Sequence, residues 1–430
     1  MAGLNKEINL PRGVALAVGM VLGSGMLGLP GIVVAAVGSR MAIASWLAVI
    51  LAMVPMVAIF SRLGSRYTTA AGLTEYARIA FGPWAADATS VLLWGTYAIG
   101  IPALAWVGGA YVCSLFDIAQ YPWGLVCALM ILLASTIVNL LGTRLTALIN
   151  TISLWMIAAL ICILVGTHLD LLVLGIRELP SITTGFDLSG LISGAGLIVW
   201  AFLGWENMSF SAEEFRNPKR NIPMTYWISF AVVSALYLAL AFVVNGAEIA
   251  GTHITGASGL TSLLPDDWKA VITVLIVIAI LANANSWVLG ASRLTFSAGR
   301  NGLLPGIFTK TNRNGVPVNA LIAMQAIYTG VIVIAGLLHL KADNLVGIVS
   351  QDFIVLYVVS IIAFIISERN EGGVSGASWL IALLSLVLCG IILTGFTWWI
   401  LYPTNAGGGG CRGSSSPHAT GKMTMGRRKA

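Results

Sequence analysis

Charge is what this 430-residue chain has least of. Lysine, arginine, aspartate and glutamate together make up 9% of it, against 58% hydrophobic residues, and the mean hydropathy is +0.91. Soluble domains carry roughly 25% charged residues, so a soluble globular fold is excluded. Reactive residues are sparse too, with four histidines and five cysteines. Cys113, Cys127, Cys162, Cys389 and Cys411 have neither metal nor disulfide spacing, and four fall inside apolar runs as core-filling residues. His168, His253, His339 and His418 stand at run ends, in a loop or in the tail, so no metal site is expected. Zinc motifs, a nucleophile elbow and paired intramembrane aspartates are all missing, so no catalytic residue, cofactor or enzymatic activity is expected. No long loop or soluble sensory module is evident. The net charge of +6 is not a nucleic-acid signal, because basic loops are normal on the cytoplasmic face of membrane proteins.

What is present in abundance is apolar runs. Segments near 13–38, 41–61, 86–115, 122–142, 145–167, 189–212, 222–246, 269–290, 317–338, 345–366 and 376–402 are each long enough to cross a bilayer, giving about 11 spans in an all-α membrane protein. The first run is too long for a signal peptide and is expected to remain in the mature protein. Thr68 to Pro83, with Glu75 and Arg78, reads as a short amphipathic helix at the interface. With the N-terminus inside, inner loops hold fourteen basic residues and outer loops only Arg40, Arg177, Lys269 and Lys341, which predicts a cytoplasmic N-terminus in the cell inner membrane. A transmembrane domain is expected over 1–403. Residues 404–430 read as a disordered basic tail, with Gly407 to Gly410, Ser414 to Ser416, Arg427, Arg428 and Lys429. After eleven spans that tail would be exported against its charge, unless a twelfth span has been lost.

The organising stretch lies inside the first run. Gly13 to Ser39 is 27 residues without a charge, yet Gly19, Gly23, Gly25, Gly28 and Pro30 occupy its middle. Glycine costs roughly 1 kcal/mol in a helix interior relative to alanine, and Pro30 cannot bond to its preceding turn. Backbone freed at that depth is tolerated where it is buried in protein or lines a cavity. The stretch is therefore either a broken helix or a close helix contact between small residues. The sixth run repeats the pattern, with Gly204 amid Trp200, Glu206 and Asn207. Matched interruptions in equivalent helices point to inverted repeats, about 12–167 and 189–366, with 376–402 as an extra span.

Gly23-Ser24-Gly25, Trp200-Ala-Phe-Leu-Gly204-Trp-Glu206, the run Ala212 to Pro223 containing Arg216-Asn217-Pro218-Lys219-Arg220, and Ser292-Arg293 with Gly299-Arg300-Asn301-Gly302 resemble the amino acid–polyamine–organocation (APC) transporters over about residues 5–370. Gly3-Leu4, Glu7, Leu10 and Gly13, with Gly100-Ile101-Pro102-Ala103, resemble the bacterial exporters of methionine and branched-chain amino acids within that superfamily. Those exporters have twelve spans, so the tail departs from them. The resemblance implies a five-plus-five inverted-repeat fold of LeuT type with helices 1 and 6 broken. It also implies secondary transport of a small amino acid, with the bilayer as the other partner.

A zwitterion needs donors for its carboxylate and acceptors for its ammonium. The amides at Gly23, Ser24 and Gly25 suit the carboxylate at a helix N-terminus, and carbonyls near Val21, Trp200 and Leu203 suit the ammonium. Ile101 and Trp205 are candidate pocket walls, and Trp200 and Trp287 candidate gates. No lysine or arginine lies in a span core, so a neutral apolar substrate is expected: methionine, leucine, isoleucine or valine. Glu206 and Asp352, acids at membrane depth, are candidates for proton coupling; for Glu206 the alternative is bracing of the broken helix. Glu213, Glu214, Arg216 and Arg220 are expected to belong to an inner-face cluster whose carboxylates pair with Arg293 or Arg300 and hold one gate closed, with solvated charges as the alternative. Efflux by proton antiport is the expectation from the exporters, with sodium left open by Asn283, Asn285 and Ser286. An importer or exchanger of the same superfamily, or a non-transporting sensor on this fold, are the alternatives.

Overall fold

The computed structural model describes residues 6–22, 24–178, 186–252, 254, 260, 263, 266–340 and 342–395. The basic tail, Gly23 and the end of the 376–402 run lie outside them. The described chain is helical nearly throughout. In order the helices are α1 (Leu10–Val21), α2 (Ser24–Arg66), α3 (Leu73–Phe81), α4 (Pro83–Phe116), α5 (Gln120–Leu141), α6 (Thr143–Thr167), α7 (Leu169–Arg177), α8 (Leu188–Val199), α9 (Trp205–Met208), α10 (Pro218–Ile249), α11 (Asp266–Arg300), α12 (Val318–Leu337), α13 (Ala342–Asn370) and α14 (Gly376–Gly395). Each of the eleven apolar segments falls on one or more of these. Among the described residues seven helices are long and apolar enough to cross a membrane, or up to eight counting the bent pair over Thr151–Thr167 and Leu169–Arg177.

Local chemistry sets the boundaries. Asn9 caps α1, its side-chain oxygen accepting from the Arg12 amide at 3.1 Å, and Asp187 does the same for α8 through the Ser189 amide at 2.9 Å. The first and second spans join without a loop, with α2 bent at Gly38 (φ 75°, ψ 162°). The interfacial helix is shorter than its sequence suggests, since Gly72 and Gly82 bound it.

Packing follows the logic of lipid, where apolar side chains gain little by leaving the bilayer and close fit must hold helices together. α4 and α5 approach through Gly109, where a Cβ would stand 2.2 Å from the Gly124 carbonyl oxygen. A large cluster of buried side chains, including Trp46, Phe60, Phe202, Trp205, Tyr237 and Tyr328, runs through the bundle.

On the face bearing the N-terminus, charges tie helices together. Beyond the tenth apolar segment, Glu368 meets Arg66 at 2.6 Å and Arg62 at 3.4 Å, and the Ser378 hydroxyl donates to it from α14. Burial opposes its charge, but the Ser378 hydroxyl and the two guanidinium groups outweigh that and hold its carboxyl below the ordinary range. A depressed carboxyl contributes stability above its unfolded pKa and loses it as pH falls through the lowered folded value. Glu368→Gln should therefore reduce the thermal stability of the purified protein at pH 7, by about 1 kcal/mol for a pair that keeps some solvent. The gap to the parent should close on acidification; a gap that stays constant to acid pH would mean that packing, not charge, is at stake.

Candidate functional site

The two interruptions foreseen in the sequence meet in space. α1 stops at Val21, Leu22 leaves the helix with extended backbone (φ −72°, ψ 105°), and helix resumes at Ser24. In the sixth span α8 ends at Val199, a 3-10 turn covers Trp200–Phe202, and Leu203 is extended (φ −80°, ψ 148°). Gly204 then turns with φ 122° and ψ −15° into α9, which passes into a second 3-10 turn over Ser209–Glu214. Gly204 is also where the breaks touch, for a Cβ there would sit 2.7 Å from the Met20 carbonyl oxygen.

Breaking two helices frees backbone carbonyls, and side chains of the surrounding helices take them up, as buried backbone at membrane depth requires. The Tyr237 hydroxyl on α10 lies 3.1 Å from the Val21 oxygen and 2.8 Å from the Ala201 oxygen, so one proton serves both breaks. The Asn283 amide on α11 donates to Gly19 at 2.7 Å and Met20 at 3.1 Å, and the Trp287 indole donates to Met20 at 2.9 Å. Tyr226 donates to the Trp205 carbonyl at 3.0 Å.

Between the breaks lies a cleft of about 400 Å³ of atom-free space, part of it open to solvent. Met20 and Val21 line it from the first span, Trp200, Ala201 and Leu203 from the sixth, Gly100 and Leu104 from α4, Asn283 and Trp287 from α11, and Val349 from α13. Of the residues expected at the site, Val21, Trp200, Leu203 and Trp287 come together here. Ser24 and Gly25 supply helical backbone at the start of α2, while Gly23 lies outside the described residues. Ile101 is fully buried on α4, but its neighbours Gly100 and Leu104 are the ones that face the cleft. Trp205 packs instead against Tyr226 and Phe230, with ring centroids 6.2 and 6.0 Å away. Gly100 is marked in the sequence only as part of its motif, and Leu104 and Val349 not at all, because α4 and α13 are apolar on most sides and show no face. Tyr237 carried a signal, since a tyrosine at mid-depth needs a hydroxyl partner.

The acids sit on the N-terminal side of the cleft. Glu206 is fully buried, and its Oε2 accepts from the Gly204 amide at 3.2 Å and the Tyr357 hydroxyl at 3.0 Å. Asp352 is partly buried on α13 and accepts from Thr96 at 3.2 Å. Neither is among the described residues that line the cleft. The lining residue Trp287 is held edge-on between Tyr97 (5.7 Å) and Phe353 (5.9 Å), and Phe210 packs on Tyr97. Tyr97 donates to Asn207, whose side chain lies on bare Gly290. Further out the expected ion pairs form: Glu214 meets the buried Arg293 at 3.2 Å, and Glu213 meets Arg300 at 3.5 Å and accepts from the Ala70 amide. Arg216 instead turns to the Lys6 carbonyl, where the N-terminal segment docks beside Phe215. Rings and then charges thus follow one another on the N-terminal side of the cleft.

A fold of this kind, with two broken helices crossing at a central cleft, defines a class of secondary transporter. The structure of MhsT in complex with L-phenylalanine is similar, with a TM-score of 0.69 over 92% of this chain and 99% of that one, at 15% identity. This chain belongs to the amino acid permease family, whose model matches residues 8–408, and is accordingly a multi-pass amino acid transporter of the APC superfamily. Similar proteins include an uncharacterized amino acid permease, YecA, of Bacillus subtilis strain 168, 27% identical over 93% of each chain. The L-methionine/branched-chain amino acid exporter YjeH of Escherichia coli K12 is 24% identical over 94% of each. A cadaverine/lysine antiporter of the same strain is 25% identical over 80% of this chain and 78% of its own.

Proposed function

We propose that this protein exports neutral apolar amino acids, methionine, leucine, isoleucine and valine, by proton antiport across the inner membrane, with its N-terminus cytoplasmic. The observation that carries the reading is the cleft lining, in which no lysine, arginine, aspartate or glutamate appears among the described residues. Overall identity does not separate an apolar from a cationic substrate, since the exporter and the cadaverine/lysine antiporter stand equally far away. The lining favours the apolar one: a second positive charge on the ligand would enter an apolar cleft without a partner, which costs several kcal/mol. In this reading the ammonium sits against carbonyls of Val21, Trp200 and Leu203, and the carboxylate against amides at Gly23, Ser24 and Gly25. Trp200 and Trp287 close over the substrate, and Glu206 or Asp352 carries the proton. From α11 the first break meets the Asn283 amide and the Trp287 indole as donors, and a proton is the coupling ion in this reading.

Counterflow of labelled leucine into proteoliposomes tests the reading. Methionine, isoleucine and valine should compete at least tenfold better than arginine, lysine or putrescine. A cationic substrate competing equally well would overturn it, and absence of counterflow with every amino acid would leave a sensor in its place. In oriented vesicles, acidifying the side opposite the N-terminus should accelerate release of substrate from the N-terminal side.

A further inference from the structure

The cleft has one wall whose shape depends on a pair of residues from two different helices. Gly100 and Leu104 stand one turn apart on α4 and both face the cleft, while Val349 reaches it from α13. Gly100 has no side chain, and the space it leaves is occupied by Val349: a Cβ on Gly100 would meet Val349 Cγ1 at 3.1 Å and Cγ2 at 3.4 Å. Val349 is 1% exposed, so its methyl groups are packed on nearly every side. Behind them Trp287 is fixed by its bond to Met20 and by the rings of Tyr97 and Phe353. This wall is opposite in chemistry to the break side of the cleft, having no polar backbone to offer. The side chain of a substrate, not its charged ends, belongs there.

We infer that Val349, seated in the space left by Gly100, sets the upper size limit for the substrate side chain, admitting unbranched and branched aliphatic side chains and excluding aromatic rings. The inference rests on the apolar substrate reading and deepens it by assigning the size limit to one contact. A hydrophobic pocket discriminates by about 10- to 200-fold per methylene, so removing two methyl groups at this contact changes the ranking of substrates rather than the rate alone. A Cβ on Gly100 acts in the reverse sense, pushing Val349 into the cleft.

The experiment is competition against labelled-methionine counterflow in proteoliposomes, with valine, leucine, phenylalanine and tryptophan as competitors, for the parent, Val349→Ala and Gly100→Ala. In the parent, phenylalanine and tryptophan should compete at least tenfold worse than leucine. In Val349→Ala the phenylalanine-to-leucine ratio should rise at least tenfold, and in Gly100→Ala leucine should fall tenfold relative to valine. A parental ranking retained in Val349→Ala would overturn the inference, as would a parent that takes phenylalanine as readily as leucine. If Val349→Ala gives no counterflow, an unchanged ranking in Gly100→Ala overturns it and the predicted shift sustains it. Failure of the substrate reading looks different, because the parent itself then shows no methionine counterflow.

Discussion

Gly204→Ala is expected to abolish transport while leaving a folded, inserted protein. Two separate costs converge at this residue. Its backbone holds φ 122°, ψ −15°, which an L side chain adopts at a cost of order 1–3 kcal/mol. The added Cβ would also stand 2.7 Å from the Met20 oxygen and 3.1 Å from its carbonyl carbon, and these are backbone atoms that cannot rotate aside. Met20 is itself pinned by Asn283 and Trp287. The two broken spans must therefore separate, and the cleft between Val21, Trp200 and Leu203 loses its shape. Bilayer insertion depends on apolar length elsewhere in the chain and should persist. Initial counterflow rates should fall at least a hundredfold, with little change in the amount of protein recovered from the membrane. Gly330→Ala on α12 is the matched control, because a Cβ there meets nothing within 4 Å; it should transport like the parent. Near-normal transport by Gly204→Ala would show that the observed crossing of the breaks is not used.

Replacing Glu206 with glutamine should separate coupling from bracing. Both hydrogen bonds seen at this side chain, from the Gly204 amide and the Tyr357 hydroxyl, end on one oxygen. The carbonyl oxygen of a glutamine can take both, with its amide nitrogen in the place of the other carboxylate oxygen. The brace across the break is preserved and the titration is removed. An ionisable group at membrane depth is costly and is kept where it is used. With Glu206 as the proton carrier, flux driven by a pH gradient should fall tenfold or more in Glu206→Gln, while substrate-for-substrate exchange, which moves no net proton, should continue. Measured on the same proteoliposomes, equal retention of both would remove Glu206 from coupling and leave Asp352. Equal loss of both would show that the variant had disturbed the break itself.

The resemblance to a permease family ran through particular residues. Gly23-Ser24-Gly25 and the Trp200 to Glu206 stretch mark both interruptions, because a glycine cluster at mid-membrane depth violates helix propensity so strongly that local sequence is enough to reveal it. The ion pairs of Glu214 with Arg293 and Glu213 with Arg300 were legible for a similar reason, as charges are so rare in this chain that these residues have few other partners. The third span was harder to read. Ile101 looked like the pocket wall, and one residue either way on a helix turns a side chain by about 100°, which decides between the cleft and the core. Trp205 presented the same ambiguity and lies against Tyr226 and Phe230.

By itself, then, the sequence determined the class of solvent around the chain, the number and order of its apolar segments, and where two of them break, because each depends on residues adjacent in the chain. Only the tertiary structure decided that Tyr237 and Asn283 hold the freed carbonyls, that Gly100 and Val349 share one space, and that Glu206 reaches Tyr357. Those pairings join residues 151 to 264 positions apart in the cases of Glu206 with Tyr357 and Gly19 with Asn283. In helices that are apolar all round, no periodic pattern marks the face a neighbour will choose; the close fit of one backbone against another makes that choice.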